Sequence, residues 1–124
     1  AVAETVAAIL NRQQVKATFF LANEKTFRGD YSLDDGWKPF WQERVKEGHR
    51  FGSHTYDHVY FVKDTPANSS SDARVQMKPQ FGANANQVIS MNGAEVCAEI
   101  NRVNTRFQEL SKRPLDPIWR AAGR

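Results

Sequence analysis

Hydrophobic residues in the first part of the chain are spaced as in one helix followed by one strand. Between residues 4 and 14, Val6, Ile9 and Leu10 fall at helical spacing. Residues 15–22, VKATFFLA, are nearly all apolar and rich in β-formers, which is typical of a strand buried on both faces. A helix followed directly by a buried strand indicates an α/β fold.

The same order recurs after a polar interval. Residues 23–38 are polar and contain two glycines, which predicts a loop. Phe40, Trp41 and Val45 then predict a helix that stops at Gly48, since glycine commonly adopts the left-handed conformation after a helix. Residues 49–54 follow as a short strand that runs into a polar corner.

The clearest helical pattern lies near the end of the chain, over residues 92–110. Its apolar positions repeat at three and four, and Asn92 with Glu95 resembles a capping box. Pro114 ends this helix, and residues 115–120 are predicted to form another strand. Residues 63–91 are rich in Ser, Asn, Pro and Gln, which predicts a long loop or an insertion.

Composition limits the chain to one domain or part of one. It has 124 residues, of which 40% are hydrophobic. No apolar run approaches the roughly 18–20 residues of a membrane span, so we expect none. The single cysteine, Cys97, lies in an apolar-periodic segment and is predicted to be a small core residue.

The net charge of +3 raises the question of nucleic-acid binding. The basic excess gathers towards the end of the chain, where it is spaced along the predicted helix and its exit loop. Phosphate-binding surfaces are usually contiguous basic stripes. We therefore expect no nucleic-acid partner.

The sharpest chemical feature is the pair His54 and His58 in the segment HTYDH. Two imidazoles four residues apart can converge on one metal ion if the segment forms a turn. The pair follows the predicted strand at its carboxyl end, where α/β folds place ligands. Two surface histidines remain the alternative. His49 lies at the other end of that strand and is predicted to be a helix-exit or surface residue.

These segments together resemble a known family. KATFF, followed by WQERVKEGHRFGSHTYDHVYF, is similar to the polysaccharide deacetylases, carbohydrate esterase family 4, also called the NodB homology domain. The family's Gly-(Ser/Asn)-His-(Ser/Thr)-x-x-His segment is matched by residues 52–58. Its arginine motif, typically Arg-x-Pro-x-Gly, is matched in part by RAAGR, where Ala122 stands in place of proline.

The resemblance implies roles for individual residues. His54 and His58 would be two of three protein ligands of a divalent metal, zinc first, with cobalt or manganese as alternatives. Arg120 would be catalytic, by orienting an aspartate base, while Trp119 and Tyr56 would bind substrate. The activity implied is hydrolysis of N- or O-acetyl groups on a carbohydrate polymer of the peptidoglycan, chitin or xylan type.

The resemblance also implies that residues 1–124 are a single partial domain. The fold expected is α/β, part of a distorted (β/α) barrel, which typically needs about 200–250 residues. The family's first motif, with the aspartate base and third metal ligand, would precede the first helix. Asp34-Asp35-Gly36 lies out of order and is better explained as a solvated turn. We therefore expect this chain to be an incomplete part of the enzyme, with inactivity of the fragment itself as an open alternative.

Two alternatives remain open at this point. One is a related amidohydrolase acting on small amides, and the other is a non-catalytic carbohydrate-binding remnant. The resemblance implies a carbohydrate polymer as partner, with self-association or complementation by missing segments as further options. It also implies a secreted protein at an extracellular, periplasmic or cell-wall location.

Overall fold

A computed structural model of the protein describes residues 2–65 and 73–123. The helices are α1 (Val2–Arg12), α2 (Lys38–Lys46) and α3 (Gly93–Ser111), and a short 3-10 helix covers Asp35–Trp37. The strands are β1 (Thr18–Leu21), β2 (Arg50–Ser53), β3 (Val59–Thr65), β4 (Arg74–Pro79) and β5 (Ile89–Asn92). The predicted order of helix and strand through β2 is confirmed.

Strands β1 and β2 pair in parallel over their whole length, with Leu21 opposite Ser53. A third extended segment lies on the other side of β2, where the Ser53 amide donates to the Ile118 carbonyl (3.1 Å) and the Arg120 amide donates to the Ser53 carbonyl (3.0 Å). The strand predicted at residues 115–120 is thus reduced to one isolated bridge, between Trp119 and Ser53, and a second bridge joins Ala122, just beyond it, to Tyr60.

The mixed α/β class is confirmed, whereas the barrel remains a prediction. Within the described ranges the strands form a two-stranded parallel sheet and a separate three-stranded sheet, and neither is closed.

The second sheet is antiparallel, in the order β3-β4-β5. The prediction of a loop at residues 63–91 is wrong for most of the described part, because β3 extends into it and β4 and β5 lie within it. Alternate apolar residues on the three strands cover one face, with Val59, Met77 and Met91 buried together. Residues 66–72 of this segment lie outside the described residues, and an insertion here stays a prediction.

The main core lies between the parallel sheet and helices α2 and α3. Val103, Phe107 and Leu110 of α3 pack against Trp41 and Phe51. The predicted capping box is confirmed: the Asn92 side chain accepts from the Glu95 amide (2.8 Å), and the Glu95 carboxylate accepts from the Asn92 amide (3.1 Å). Among the described helices, none is long and apolar enough to cross a membrane.

The apolar stripe of α3 is only partly covered near its beginning. Cys97 is exposed, so its prediction as a core residue is wrong. It lines an open apolar cavity of about 970 Å³ together with Val96, Ile100, Met91 and Trp119. The periodicity places Cys97 beside apolar neighbours, but in the described residues nothing fills the space in front of it.

Candidate metal-binding turn

His54 and His58 flank a tight turn that leaves the carboxyl end of β2. Their ring centroids are 4.8 Å apart, with the ring planes at 63°. The turn reaches the end of β1 through two backbone hydrogen bonds, from the His54 amide to the Leu21 carbonyl and from the Asn23 amide to the Tyr56 carbonyl, both 2.8 Å. The structure therefore brings the two predicted metal ligands together at the expected end of the parallel strands.

One nitrogen of His54 is fixed by the neighbouring chain segment. Nδ1 lies 2.8 Å from the Arg120 carbonyl oxygen. Because a carbonyl can only accept, Nδ1 is the donor in this bond, and in the neutral imidazole Nε2 is then the nitrogen with the lone pair. Metal-ligating histidines are commonly oriented in this way by a carbonyl or a carboxylate.

His58 lies in a more enclosed position, with 13% of its side chain exposed. Its Nδ1 is buried without a hydrogen-bond partner among the described residues. Its Nε2 faces a Glu24 carboxylate oxygen at 3.6 Å, and its ring contacts Tyr60 edge to face at 4.9 Å between centroids. An imidazole with an unsatisfied buried nitrogen, beside a second imidazole with a free lone pair, fits a metal-binding role.

The backbone of the turn adopts an unusual conformation. Thr55 and His58 have φ of 68° and 50°, in the left-handed region that non-glycine residues rarely occupy. The buried Thr55 hydroxyl donates to the His54 carbonyl (2.5 Å) and accepts from the Val59 amide (2.8 Å). The Thr55 hydroxyl therefore braces the turn from within.

Helix α3 also contacts the turn. The Tyr56 amide donates to the Glu99 carbonyl (3.2 Å), and the Asp57 amide donates to the Glu99 carboxylate (3.0 Å). Burial raises the pKa of Asp57, partly offset by Arg102. Burial also raises the pKa of Glu99, partly offset by the hydrogen bond from the Asp57 amide and then by Arg102. Two partly buried carboxyl groups beside one arginine thus adjoin the turn that carries the histidine pair.

The three other predicted site residues have different surroundings. The Arg120 carbonyl orients His54, while its side chain is exposed. Trp119 is 47% exposed and lines the apolar cavity described above. Tyr56 lies under the Arg102 guanidinium, 3.8 Å from its ring centroid. The tyrosine whose ring contacts the histidine pair is Tyr60. The catalytic and substrate-binding roles of Arg120, Trp119 and Tyr56 stay predictions.

His49 is separated from the pair, as expected, but it is not at the surface. It is 1% exposed, accepts the Ala17 amide on Nδ1 (3.0 Å) and has Nε2 3.3 Å from a Glu47 carboxylate oxygen. The surface prediction is wrong because β1 and α2 close over this end of β2. Its role is to connect the two strands.

Asp34 and Asp35 form the polar turn that the sequence suggested. The Asp34 carboxylate accepts from the Tyr31 amide (2.8 Å), and the exposed Asp35 carboxylate pairs with Arg106 of α3 (2.8 Å). Across the described ranges, no group of three or more His, Cys, Asp or Glu side chains is arranged to hold a metal. The two imidazoles are therefore the metal-ligand candidates that the structure brings together.

Sequence reasoning missed two carboxylates at this site, Glu24 and Glu99. The position of Glu24, three residues after β1, could have suggested it, because residues after parallel strands gather at one edge. Glu99 had no comparable signal, since its position on α3 relative to the turn depends on tertiary packing.

Comparison with known families identifies the family of the chain. The family model described as polysaccharide deacetylase matches residues 1–123. Since the match covers nearly the whole sequence, the chain belongs to the polysaccharide deacetylase family, a family of carbohydrate esterases. No curated protein and no solved structure gave a significant match.

Proposed function

We propose that the chain is part of a metal-dependent hydrolase that removes N- or O-acetyl groups from a carbohydrate polymer. The observation that supports this most directly is the convergence of His54 and His58 at the carboxyl end of β2. The family membership supports the same reaction class. Candidate polymers are peptidoglycan, chitin and xylan, and we propose an extracellular, periplasmic or cell-wall location because such polymers are found there.

The residues of the turn would divide the work. His54 would bind the ion through Nε2, because Nδ1 is held by the Arg120 carbonyl. His58 would supply the second imidazole. A divalent ion held there, zinc in our proposal, supplies polarisation of the acetyl carbonyl and a lowered pKa for a bound water. The Tyr60 ring, beside His58, offers an apolar face against which a sugar ring could stack.

The metal site is tested by calorimetric titration of the chain with Zn²⁺. We expect one ion per chain and a loss of binding in His54→Ala and in His58→Ala. His49→Asn is the matched control, because it removes the third histidine while an amide oxygen can still accept the Ala17 amide. Absence of measurable Zn²⁺, Co²⁺ or Mn²⁺ binding by the folded wild type would overturn the proposed site.

The reaction is tested separately, by release of acetate from acetylated chito-oligosaccharides, peptidoglycan and acetylated xylan. The protein assayed should be the longest one that contains this chain. We expect acetate release to depend on the added metal and on His54. Metal binding without acetate release, together with hydrolysis of small amides, would favour the alternative function, an amidohydrolase acting on small amides.

A further inference from the structure

The turn that carries His54 and His58 needs support from outside itself. Two of its residues, Thr55 and His58, have positive φ, and such conformations persist only where the surrounding structure holds them. The Thr55 hydroxyl supports the turn from within, through its bonds to the His54 carbonyl and the Val59 amide. Neither of these bonds involves the two residues at the tip of the turn, Tyr56 and Asp57.

Glu99 holds the tip of the turn by two separate groups. Its backbone carbonyl accepts the Tyr56 amide (3.2 Å), and its carboxylate accepts the Asp57 amide (3.0 Å). Its side chain is only 14% exposed. A hydrogen bond from an amide to a carboxylate is stronger than one between neutral groups, and it gains further where water is excluded.

The element that carries Glu99 is itself firmly placed. One turn further along α3, Val103 is fully buried in the main core, as is Phe107. The helix makes another contact with the strand before the turn, since the Ser53 hydroxyl donates to the Ile100 carbonyl (2.9 Å). Because α3 is held in place by the core, the Glu99 carboxylate has a fixed position from which it can hold the turn.

Arg102 closes the outer side of this contact. Its guanidinium lies 3.8 Å from the Tyr56 ring centroid, 3.8 Å from an Asp57 carboxylate oxygen and 3.9 Å from a Glu99 carboxylate oxygen. It compensates the negative charge that Glu99 and Asp57 bring to the interior. Glu99 therefore lies between the main core, the turn and the Arg102 guanidinium.

We propose that Glu99 is a positioning residue for the metal-binding turn: its carboxylate holds the Asp57 amide and thereby sets the orientation of the adjacent His58 imidazole towards His54. The proposal rests on the proposed function only in assigning a metal to the two imidazoles. The contact between Glu99 and the turn is independent of that assignment.

The test compares Glu99→Ala with Glu99→Gln in titrations with Zn²⁺ and Co²⁺ on the full chain. Loss of a group bonded directly to a metal ligand typically costs about 10–100-fold in metal affinity. Glu99 acts through the Asp57 backbone instead, so we expect Glu99→Ala to weaken metal binding measurably but by no more than that range. Glu99→Gln should recover most of the affinity, since its amide oxygen can still accept the Asp57 N–H. Glu109→Ala is the control, because Glu109 lies on the same helix and pairs with Arg106.

A second readout needs no metal. The amide resonance of Asp57 in a proton–nitrogen NMR spectrum should move upfield in Glu99→Ala, and the ring nitrogen shifts of His58 should change with it. Both should stay near the wild-type values in Glu99→Gln. If Glu99→Ala does not fold, Glu99→Asp takes its place, since its carboxylate is one methylene shorter.

The outcomes separate the two proposals. Wild-type metal affinity in folded Glu99→Ala, with unchanged Asp57 and His58 resonances, overturns the positioning role and leaves the metal site intact. A wild-type chain that binds no metal overturns the metal site, and the NMR comparison then decides the positioning role by itself. If Glu99→Gln does not restore the metal affinity and the resonances that Glu99→Ala changes, that result would also count against the positioning role of Glu99.

Discussion

The Thr55 hydroxyl joins both ends of the metal-binding turn, by donating to the His54 carbonyl and accepting the Val59 amide. Its side chain is almost completely buried, so water cannot replace these partners. Val and Thr have nearly the same shape, and both are branched at Cβ. Replacing one by the other at this position therefore isolates the contribution of the hydroxyl.

We expect Thr55→Val to lower the free energy of unfolding by about 1–3 kcal/mol, because it leaves the Val59 amide buried without an acceptor. Urea denaturation measures the change. Thr55→Ser keeps the hydroxyl and should retain more of the stability than Thr55→Val. Equal stability of Thr55→Val and the wild type would show that the hydroxyl does not brace the turn.

Asp30 makes the stability of the protein depend on pH at the acidic end. Its carboxylate accepts from the Thr26 hydroxyl and the Trp37 indole (2.9 Å for the latter), and these bonds lower the pKa of Asp30 below its usual value of 3.8. A lowered folded-state pKa means stability that is present above about pH 4 and lost as pH falls through the folded pKa.

Asp30→Asn keeps an acceptor oxygen but does not titrate. We therefore expect its free energy of unfolding to fall less steeply than that of the wild type when the pH is lowered from 5 to 3. Denaturant melts at half-unit pH intervals give the two slopes. Identical slopes would mean that Asp30 contributes nothing to the acid sensitivity.

At the scale of elements, β2 depends on close approach by its neighbours. A Cβ added at Gly52 would lie 2.7 Å from Ile118 Cγ1, 2.8 Å from the Ile118 carbonyl oxygen and 2.9 Å from a Phe20 ring carbon. The backbone oxygen belongs to the segment that pairs with β2, so it cannot move away without breaking that pairing. Only glycine lets the three extended segments lie side by side here.

We expect Gly52→Ala to destabilise the fold by about 1–3 kcal/mol through overpacking. Gly93→Ala is the control, since a Cβ there meets no atom within 4 Å and alanine favours the helix that begins at Gly93. Thermal unfolding of both variants is the measurement. A melting temperature of Gly52→Ala equal to that of the wild type would contradict the close approach at Gly52.

Elements with a strong local signal could be predicted from the sequence. The stripe ending in Val103, Phe107 and Leu110 identified α3, and the apolar run VKATFFLA contained β1, although the strand itself is shorter. The strands β4 and β5 were missed because their polar and apolar residues alternate within a segment rich in Ser, Asn and Gln. Each becomes stable only by pairing with β3 and its neighbours.

The residues of the site likewise divide into those with a local signal in the sequence and those without one. The pair His54 and His58 is visible in the sequence because four residues separate its members. Glu24 and Glu99 lie 34 and 41 residues from His58, as the numbering shows. Their contacts with the turn arise only when β1 and α3 pack against it, which no local pattern reports. Arg120 was singled out for its side chain, whereas the structure shows its carbonyl bonded to His54.

At the scale of the whole molecule, the turn connects two apolar clusters, because Tyr56 packs against the larger one and Val59 belongs to the smaller one. The larger one joins α2 and α3 to the parallel sheet, whereas the smaller one has three buried residues, Val59, Met77 and Met91. Strand β3 begins at Val59, immediately after His58. The two imidazoles therefore lie in the segment that links the large cluster to the small one.

The small cluster has a consequence for local opening. Regions with few buried apolar contacts open more often than the rest of a fold, so the backbone amides of β3, β4 and β5 should exchange with deuterium sooner than those of β1 and β2. If His54 and His58 bind one ion, as we propose, that ion would tie the two regions together. Hydrogen–deuterium exchange followed by mass spectrometry should then show that Zn²⁺ slows amide exchange in β3–β5 selectively in the wild type but not in His54→Ala. Equal exchange rates in all five strands would instead show that the two sheets open as one unit.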